Sequence, residues 1–256
     1  MSGAVAGDAR ESAARPGLVP AVADRASGGQ AHSAAVRTMF GRIAPTYDVL
    51  NHVLSGGIDV AWRHRAVAAL RSAPAGATLD LCAGTMDLTV LLGRARPGGR
   101  LVAADFSEEM LARGRKKVPR AEIVVADAER LPFAEGEMAA VVCGFGVRNV
   151  ADPLAALREV RRVLAPGGVF VTLEFFRPET TVTRALHRAY ASVVLPLVGG
   201  VLSGDREAYA YLAQSMKGFL SRAEYEKALE EAGFIRLSGE DLTFGVASIV
   251  RAEAPS

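Results

Sequence analysis

The sequence predicts an α/β protein with a seven-stranded, mostly parallel sheet, one antiparallel strand and helices on both faces. The first observation behind this prediction is that apolar runs of strand length alternate with helical patterns from residue 77 to residue 175, as in a parallel sheet. The second is that the two final apolar runs, at 234–242 and 244–252, are separated by a very short turn and predict a closing hairpin. With 256 residues, of which 50% are hydrophobic, the chain is expected to form one folded domain.

The elements follow in order along the chain. A helical pattern runs from Val36 to Leu70, with a break at residues 55–57. Ser107 and Asp152 are suited to cap two later helices, and Pro153 suits the first position of the second of these. The first five strands are predicted at 77–82, 100–106, 123–126, 139–145 and 169–175, and the helices among and after them at 88–95, after Ser107, at 153–164 and at 221–232.

The composition divides the chain into a tail and a domain. Residues 1–33 are rich in Ala, Gly and Ser without a sustained period, and we expect them to form a disordered tail. The domain then spans 34–256, with a helical cover at 34–72. Residues 177–220 are too long and too helical for a simple crossover, and they are interpreted as a lid insertion.

No stretch resembles a targeting or membrane-spanning segment. The tail has no apolar core of signal-peptide length, and its acids Asp8, Glu11 and Asp24 are unusual in a transit peptide. The longest apolar region, 189–202, is broken by Pro196 and two glycines and is too short to span a bilayer. We therefore expect a cytoplasmic protein.

Charge and cysteine content narrow the function classes. The net charge is only +2, and no basic stripe with interleaved aromatic residues is present, so no nucleic acid partner is expected. Cys82 and Cys143 are interpreted as small buried hydrophobic residues in a reducing compartment. A metal site would need more Cys or His residues at ligand spacing, so no metal is expected. The sequence leaves a homo-oligomer open.

Three predicted strand ends carry residues suited to a nucleoside ligand. Gly84 and Thr85 follow the first strand, where backbone amides and a hydroxyl can face a small charged amino-acid tail. Asp105 ends the second strand, and its carboxylate can hold both hydroxyls of a ribose. After the third strand, Asp127 can accept from the exocyclic amine of adenine while the Ala128 amide donates to a ring nitrogen. Each feature is common alone, and it is their joint order and spacing that predicts the site.

Further segments narrow the assignment. Two are distinctive, Tyr47-Asp48-Val49-Leu50-Asn51 and Phe145-Gly146-Val147-Arg148-Asn149, and they are accompanied by Leu131-Pro132-Phe133, Pro166-Gly167-Gly168 and Leu173-Glu174-Phe175. With these segments the chain resembles the class I methyltransferases that use S-adenosylmethionine, and more narrowly the menaquinone/ubiquinone biosynthesis C-methyltransferases, over about residues 36–252. The resemblance implies a Rossmann-like class I methyltransferase fold and S-adenosyl-L-methionine as cofactor.

The resemblance also implies which residues contact the cofactor. Thr85, Asp105, Asp127 with Ala128, and Gly144 fall at cofactor-contacting positions. The family commonly has Asn and Ser where this chain has Asp127 and Gly144. Aspartate keeps the hydrogen-bond acceptor, whereas Gly144 loses a hydroxyl and leaves only backbone contacts.

Three departures from the family pattern lead to expectations of their own. Met86 replaces a glycine in the first turn. Since a methionine needs more room and a negative φ, we expect this turn to differ or shift, at some cost to cofactor affinity. Asp59 stands where the family usually has His, and Phe176 replaces a Ser. These two departures bear on the identity of the methyl acceptor more than on the fold.

The resemblance implies methyl transfer to a ring carbon of a reduced, prenylated quinone. We expect Arg148 to stabilise the developing phenolate and to position a water, while Tyr47 and Asn149 orient the ring hydroxyls. The alternative for Arg148 is a salt bridge to a helix carboxylate such as Glu159, and the alternative for Tyr47 is a core aromatic role. Residues 189–202 could line a tunnel for the isoprenoid tail, and weak contact with a membrane is expected because that tail is embedded there.

Three other functions remain open at this stage. The first is a methyltransferase for another small aromatic or polyketide acceptor, which the departures at Asp59, Met86 and Phe176 motivate. The second is a dinucleotide-dependent oxidoreductase, although only Gly84 of the usual three glycines is in place and the terminal hairpin does not suit it. The third is a binding module that kept the fold without catalysis, for which Met86 is the main argument.

Overall fold

The computed structural model describes residues 29–45, 47–181, 183–185 and 206–256. Seven strands form its sheet: β1 (Ala77–Leu81), β2 (Leu101–Asp105), β3 (Glu122–Val125), β4 (Met138–Gly144), β5 (Leu164–Glu174), β6 (Ile235–Leu242) and β7 (Ala247–Glu253). The strand order is β3-β2-β1-β4-β5-β7-β6. Strand β7 runs antiparallel to both of its neighbours, and the pairs among the first five strands are parallel. The predicted fold class is confirmed.

Helices cover the sheet and extend along its ligand-binding edge. They are α1 (Gly29–Ile43), α2 (Tyr47–Ser55), α3 (Ile58–Ala68), α4 (Asp87–Ala95), α5 (Glu108–Gly114), α6 (Pro153–Val163), α7 (Arg206–Gly218) and α8 (Arg222–Glu231), and a 3₁₀ turn spans Val147–Asn149. The expected caps are present, since Ser107 accepts a hydrogen bond from the Met110 amide and Asp152 accepts one from the Ala155 amide. Ser221 and Glu224 form a capping box at the start of α8.

Alternating side chains divide the core between the two sheet faces. On one face, Leu79, Val141 and Cys143 contribute to a cluster that includes residues of α6 and α8. On the other face, Ala140 and Val142 belong to a cluster with residues of α3, α4 and α5. The sheet is therefore covered by helices on both sides, and the ends of its strands are left to form sites.

The starts of three elements differ from the predicted ones. Helix α1 begins at Gly29, five residues before the predicted start of the cover; the rest of the predicted tail lies outside the described residues. Strand β5 begins at Leu164 rather than Val169, because the chain continues to pair with β4 across a register shift around the Pro-Gly-Gly turn. Strand β7 begins at Ala247 rather than Phe244, because Thr243, Phe244 and Gly245 all have positive φ angles, of 48°, 58° and 81°.

The predicted lid is described only in part. Residues 177–181, 183–185 and 206–220 belong to the described chain, whereas the proposed tunnel at 189–202 lies outside it. Within the described residues, no helix has the length and apolar character needed to cross a membrane.

Candidate active site

A cleft of about 670 Å³, open to solvent, lies at the carboxyl ends of β1, β2 and β4 and beside the loop that follows β3. Ligand sites of parallel sheets form at this edge. Five of the predicted cofactor residues line it, namely Gly84, Asp105, Asp127, Ala128 and Gly144. Apolar walls come from the side chains of Leu81, Phe106, Met110, Ala126 and Val150. The three strand ends singled out in the sequence thus meet in one hollow.

Asp105 is the carboxylate at the centre of this cleft. Its Oδ2 accepts a hydrogen bond of 2.9 Å from the Gly84 amide, and its Oδ1 accepts one of 2.8 Å from the Ser107 amide. Burial raises the pKa of Asp105 to about 6, against the lowering effect of these amides. Each oxygen retains a lone pair for a further donor, so a pair of adjacent hydroxyls could bind to the ionised form at neutral pH.

The first turn accommodates Met86 without losing its left-handed conformation. Met86 has φ of +68° and precedes α4, so the expectation that it requires a negative φ is wrong. The side chain is fully buried among apolar residues of α3, α4 and α5. Gly114 at the end of α5 provides the space, since a Cβ there would lie 2.4 Å from Cγ of Met86. Apolar burial therefore offsets the backbone strain.

Thr85 lies beside the cleft but does not line it. Its hydroxyl donates a hydrogen bond to Oδ1 of Asp48 in α2. Oδ2 of Asp48 accepts a hydrogen bond of 2.6 Å from Lys117, whose ammonium also binds Asp87 at 2.7 Å. This network joins the helical cover to the first turn, and it directs the Thr85 hydroxyl towards the cover.

The two remaining strand ends, at Gly144 and Asp127, differ in the space that is free beside them. Gly144 cannot gain a side chain without rearrangement, because a Cβ there would lie 2.5 Å from Cδ1 of Leu88. Asp127 is exposed, and its Oδ1 accepts a hydrogen bond of 3.0 Å from the Glu129 amide, which leaves Oδ2 for a ligand.

A second cavity of about 480 Å³ adjoins the first. Phe40, Tyr47 and Asn149 line both cavities. The other lining residues of the second cavity are Met39, Ile43, Asn51, Leu54, Arg148, Tyr211 and Leu212. Polar side chains from α2 and from the 3₁₀ turn thus share this space with apolar side chains from α1, α2 and α7. All three predicted catalytic residues contribute to it.

Arg148 forms a buried ion pair, but with a different carboxylate from the one expected. Nη1 lies 2.6 Å from Oε1 of Glu174, at the end of β5, and also donates to the carbonyl of Phe145 at 2.7 Å. The expected alternative partner, Glu159, pairs instead with Arg162 at 2.8 Å. Nη1 therefore has two partners, whereas the buried Nε of Arg148 has none among the described residues.

Tyr47 and Asn149 stand between the two cavities. Burial raises the pKa of Tyr47, while the Asn51 side chain and the positive charge of Arg148 act in the opposite direction. Asn149 donates from Nδ2 to the Phe145 carbonyl at 3.3 Å, and its Oδ1 accepts from the Tyr211 hydroxyl at 3.2 Å. Both predicted residues therefore carry polar atoms at the boundary of the two spaces.

Two departures from the family pattern lie outside both cavities. Asp59 is buried, where it accepts hydrogen bonds from Ser55 at 2.6 Å and from Arg63, and contacts His52 at 3.1 Å. Phe176 packs against Tyr225, with the ring centroids 5.1 Å apart. These residues stabilise the cover and the core rather than shaping the ligand space.

Sequence reasoning missed three residues that the structure brings to the site. No role was predicted for Glu174, Tyr211 or Asp48. The signal for Glu174 was available, because an acid inside the apolar run 169–175 must find a partner when buried. Its partner could not be identified, since Arg148 is 26 residues away along the chain.

The chemistry of the first cleft fits S-adenosyl-L-methionine. A ribose diol suits the Asp105 carboxylate, and an adenine ring suits the apolar walls beside Asp127 and the Ala128 amide. Gly84, at φ of +52°, lets the backbone approach a ligand closely. The site thus has one cleft suited to a nucleoside and a second cavity suited to another reactant. Phe40, Tyr47 and Asn149 line both.

Comparison with protein families matches residues 29–253 to the ubiE/COQ5 methyltransferase family. A demethylmenaquinone methyltransferase of Thermus thermophilus is 45% identical over 222 residues, which cover 85% of this chain and 100% of that protein. The ubiquinone/menaquinone biosynthesis C-methyltransferase UbiE of Geotalea uraniireducens is 39% identical, with 84% and 94% covered. A demethylmenaquinone methyltransferase of Deinococcus radiodurans is 38% identical, with 90% and 95% covered.

Solved structures agree on the fold. A SAM-dependent methyltransferase of Thermotoga maritima superposes with a TM-score of 0.62 at 19% identity, covering 85% of this chain and 99% of that one. The geranyl diphosphate C-methyltransferase of Streptomyces coelicolor, solved with S-adenosyl-L-homocysteine, gives 0.57 at 15% identity, covering 76% and 79%. At these identities the likeness concerns the fold alone.

Proposed function

The chain belongs to the ubiE/COQ5 methyltransferase family and is an S-adenosylmethionine-dependent methyltransferase, and from this premise we propose that it methylates a ring carbon of a demethylated, prenylated quinol. The acceptor is demethylmenaquinol, the equivalent ubiquinone precursor, or both. The observation that carries the proposal is the pair of adjoining cavities, which share Phe40, Tyr47 and Asn149. A methyl donor in the first cavity and a ring in the second would meet at these side chains.

The first cavity is assigned to the cofactor. Asp105 binds the ribose hydroxyls, Asp127 and the Ala128 amide bind the adenine edge, and Gly84 and Gly144 contribute backbone contacts. Thr85 acts on the same site through Asp48, to which its hydroxyl donates. When bound, S-adenosylmethionine supplies an activated methyl group on a sulfonium, so the protein has to align the acceptor rather than activate the donor.

The second cavity is assigned to the quinol ring. Loss of a proton from a ring hydroxyl makes the adjacent carbon nucleophilic, and Arg148 stabilises the resulting negative charge. The ring carbon then gains the methyl group, its hydrogen leaves as a proton, and the ring oxygen regains a proton, so that one proton is released overall. Tyr47 and Asn149 orient the ring through its hydroxyls. A water held near Arg148 takes the proton.

The apolar part of the second cavity is suited to the beginning of the prenyl tail. Met39, Ile43 and Leu54 form this part on the helical cover. A lipid tail of this kind is embedded in a membrane, so peripheral contact of the enzyme with a membrane surface belongs to the proposal. The helices of residues 34–72 act as the cover of the site, and α7 contributes the described part of the lid.

The rival acceptor, another small aromatic or polyketide, has no specific support among the described residues. Its motivation lay in Asp59, Met86 and Phe176, none of which lines either cavity. The quinol therefore remains the one acceptor proposed.

A direct assay tests the proposal. The purified protein is incubated with S-adenosylmethionine and with chemically reduced demethylmenaquinone in detergent, and the extracted quinones are analysed by mass spectrometry. A gain of one methyl group on the ring is expected, and Asp105→Ala should abolish it. If the quinol is recovered unmethylated while the protein binds S-adenosylmethionine, the acceptor assignment is wrong.

Flotation with vesicles that contain the quinol tests the membrane contact, and a protein that stays entirely in the aqueous fraction would contradict it.

A further inference from the structure

Glu174 is a fully buried carboxylate that takes no direct part in the proposed reaction. It has no exposed side-chain surface, and its partner Arg148 is 5% exposed. Burial of two charges is costly, and a pair of this kind often contributes less to stability than apolar residues of the same volume. Stability alone therefore does not explain why the protein has this buried ion pair.

Three hydrogen bonds hold the Glu174 carboxylate in place, and a fourth holds the guanidinium of Arg148. Oε1 accepts from Nη1 of Arg148 at 2.6 Å and from the Phe175 amide at 2.8 Å. Oε2 accepts from the Arg148 backbone amide at 3.3 Å. A fourth bond, from Nη1 to the Phe145 carbonyl at 2.7 Å, holds the other end of the pair. Glu174 thus binds Arg148 both by its side chain and by its backbone, which fixes the 3₁₀ turn relative to β5.

Aromatic rings restrict the guanidinium further. Its Cζ lies 5.5 Å from the ring centroid of Phe175 and 6.0 Å from that of Phe145. These two rings stack on each other with their centroids 4.6 Å apart. Because Arg148 also lines the second cavity, the guanidinium is held at one place on the wall of that cavity.

Nη1 is the guanidinium nitrogen that has hydrogen-bond partners among the described residues; Nη2 and Nε have none there. Of these two, Nε is buried. Buried N–H groups in native proteins are rarely unpaired, and a functional site is one of the few reasons for an exception. An oxygen that enters the second cavity would provide the missing acceptor.

We propose that Glu174 is the positioning residue for Arg148 in the methyl transfer: it holds Nη1 and the backbone amide, and so keeps the remaining N–H groups of the guanidinium available for an oxygen of the acceptor ring. This inference rests on the proposed function, because it assumes that the acceptor ring occupies the second cavity. Glu174 does not touch the ring; it acts only through Arg148, and its charge offsets that of the guanidinium while the cavity holds no anion.

The test uses Glu174→Asp, which keeps the charge but withdraws it by one methylene. The matched control is Glu159→Asp, since Glu159 also pairs with an arginine and accepts a backbone amide but lines neither cavity. We expect Glu174→Asp to lower kcat by about 10- to 100-fold, as small displacements of catalytic groups do, with KM for the quinol and the Kd of S-adenosylmethionine unchanged. Glu159→Asp should keep the wild-type kcat.

A second readout does not depend on turnover. The absorption spectrum of 1-naphthol distinguishes its neutral form from its anion, so the pKa of the bound probe can be followed by titration. Wild-type protein should lower this pKa below its value in water, and Glu174→Asp and Arg148→Met should both return it towards that value. Wild-type titration and turnover in Glu174→Asp would overturn the positioning role while leaving the methyltransferase intact. If Arg148→Met also behaves as wild type, Arg148 does not contact the acceptor and the inference fails with it.

A third measurement needs no variant at position 174 and tests the contact between Arg148 and the acceptor, which the positioning role requires. In arginine-labelled wild-type protein, the Nε–H resonance of Arg148, identified by its loss in Arg148→Met, should shift when 1-naphthol binds. An unchanged resonance at saturating probe would contradict the proposal. Absence of methylation of the quinol by the wild-type enzyme would instead contradict the proposed function, so the two failures are distinguishable.

Discussion

Met86 and Gly114 are complementary: a Cβ on Gly114 would lie 2.4 Å from Cγ of Met86 and 2.7 Å from its sulfur. The methionine sits in the first turn of the cofactor cleft, and the glycine ends the helix after β2. The side chain that is unusual for the first turn is therefore accommodated by an absent side chain 28 positions later. This pairing keeps the left-handed turn, and with it the position of Gly84.

The first prediction concerns this pair. Gly114→Ala should destabilise the protein by about 1–3 kcal/mol, because it overpacks a filled site. In a Met86→Gly background the same substitution should be neutral or stabilising, since alanine is the better helix former by about 1 kcal/mol. Urea unfolding of the four proteins measures the coupling. Gly98→Ala serves as the control, because a Cβ at Gly98 meets nothing within 4 Å. Equal losses from Gly114→Ala in both backgrounds would contradict the pairing.

Periodicity was enough to predict the sheet because the pattern and the packing agree. Apolar runs located the strand boundaries to within five residues, and the caps at Ser107 and Asp152 form as expected. The carboxyl ends of parallel strands must share one edge, so Asp105 and Asp127 could be brought together by reasoning from the sequence. Local rules of this kind do not need tertiary contacts.

The misses all depend on contacts between distant segments. The backbone of Met86 was misjudged because the propensity for negative φ is local, whereas Gly114 creates the space for it. Glu159, on α6, was the example offered for a salt-bridge partner of Arg148 in the alternative to a catalytic role, whereas the observed partner, Glu174, lies on β5. The contact between the Thr85 hydroxyl and Asp48 was not predicted, since nothing in the sequence brings the two residues together. Sequence patterns do not determine which side chains of different helices and strands pair with each other.

The second prediction concerns the pH dependence of cofactor binding. Burial raises the pKa of Asp105 to about 6, and only the ionised form accepts hydrogen bonds from both hydroxyls of a ribose. The Kd of S-adenosylmethionine should therefore be flat above pH 7 and should rise about tenfold for each pH unit well below 6. Calorimetry between pH 5 and pH 8 measures this.

Two variants test the origin of that dependence. Asp105→Asn should weaken binding at pH 8 and remove the change with pH, because the amide does not titrate. Asp152→Asn, at a helix cap that lines neither cavity, should keep the wild-type curve. A wild-type Kd that stays constant down to pH 5 would contradict the assignment of Asp105.

The third prediction concerns stability and Asp80. This carboxyl is buried in β1 and accepts a hydrogen bond of 2.5 Å from Thr89. Desolvation raises its pKa to about 7. The folded state therefore keeps a proton between about pH 4 and pH 7 that the unfolded state has lost, so stability decreases as the pH rises through this window.

Asp80→Asn removes the titration. Its stability relative to that of the wild type should increase between pH 5 and pH 8, by up to about 3 kcal/mol, because about two pKa units of the shift fall within this interval. Thr89→Val should act in the opposite sense and cost more at pH 8 than at pH 5, because the lost hydrogen bond favours the ionised form. Urea unfolding at the two pH values measures both differences. A difference between Asp80→Asn and wild type that is the same at pH 5 and pH 8 would show that Asp80 does not titrate in this range.

The fourth prediction separates two roles for Thr85. Its hydroxyl donates to Asp48, and Asp48 follows Tyr47, which lines both cavities. If Thr85 acts through this contact, Thr85→Val should lower kcat by displacing the cover and should leave the Kd of S-adenosylmethionine nearly unchanged. Asp48→Asn weakens the same contact and also loses the ion pair with Lys117, so its effect should be similar or larger, and the double variant should be little worse than Asp48→Asn alone. Calorimetry and steady-state kinetics on the three variants decide the question. Should Thr85→Val weaken cofactor binding as strongly as Asp105→Asn while Asp48→Asn does not, the hydroxyl would have to leave Asp48 and bind the cofactor directly.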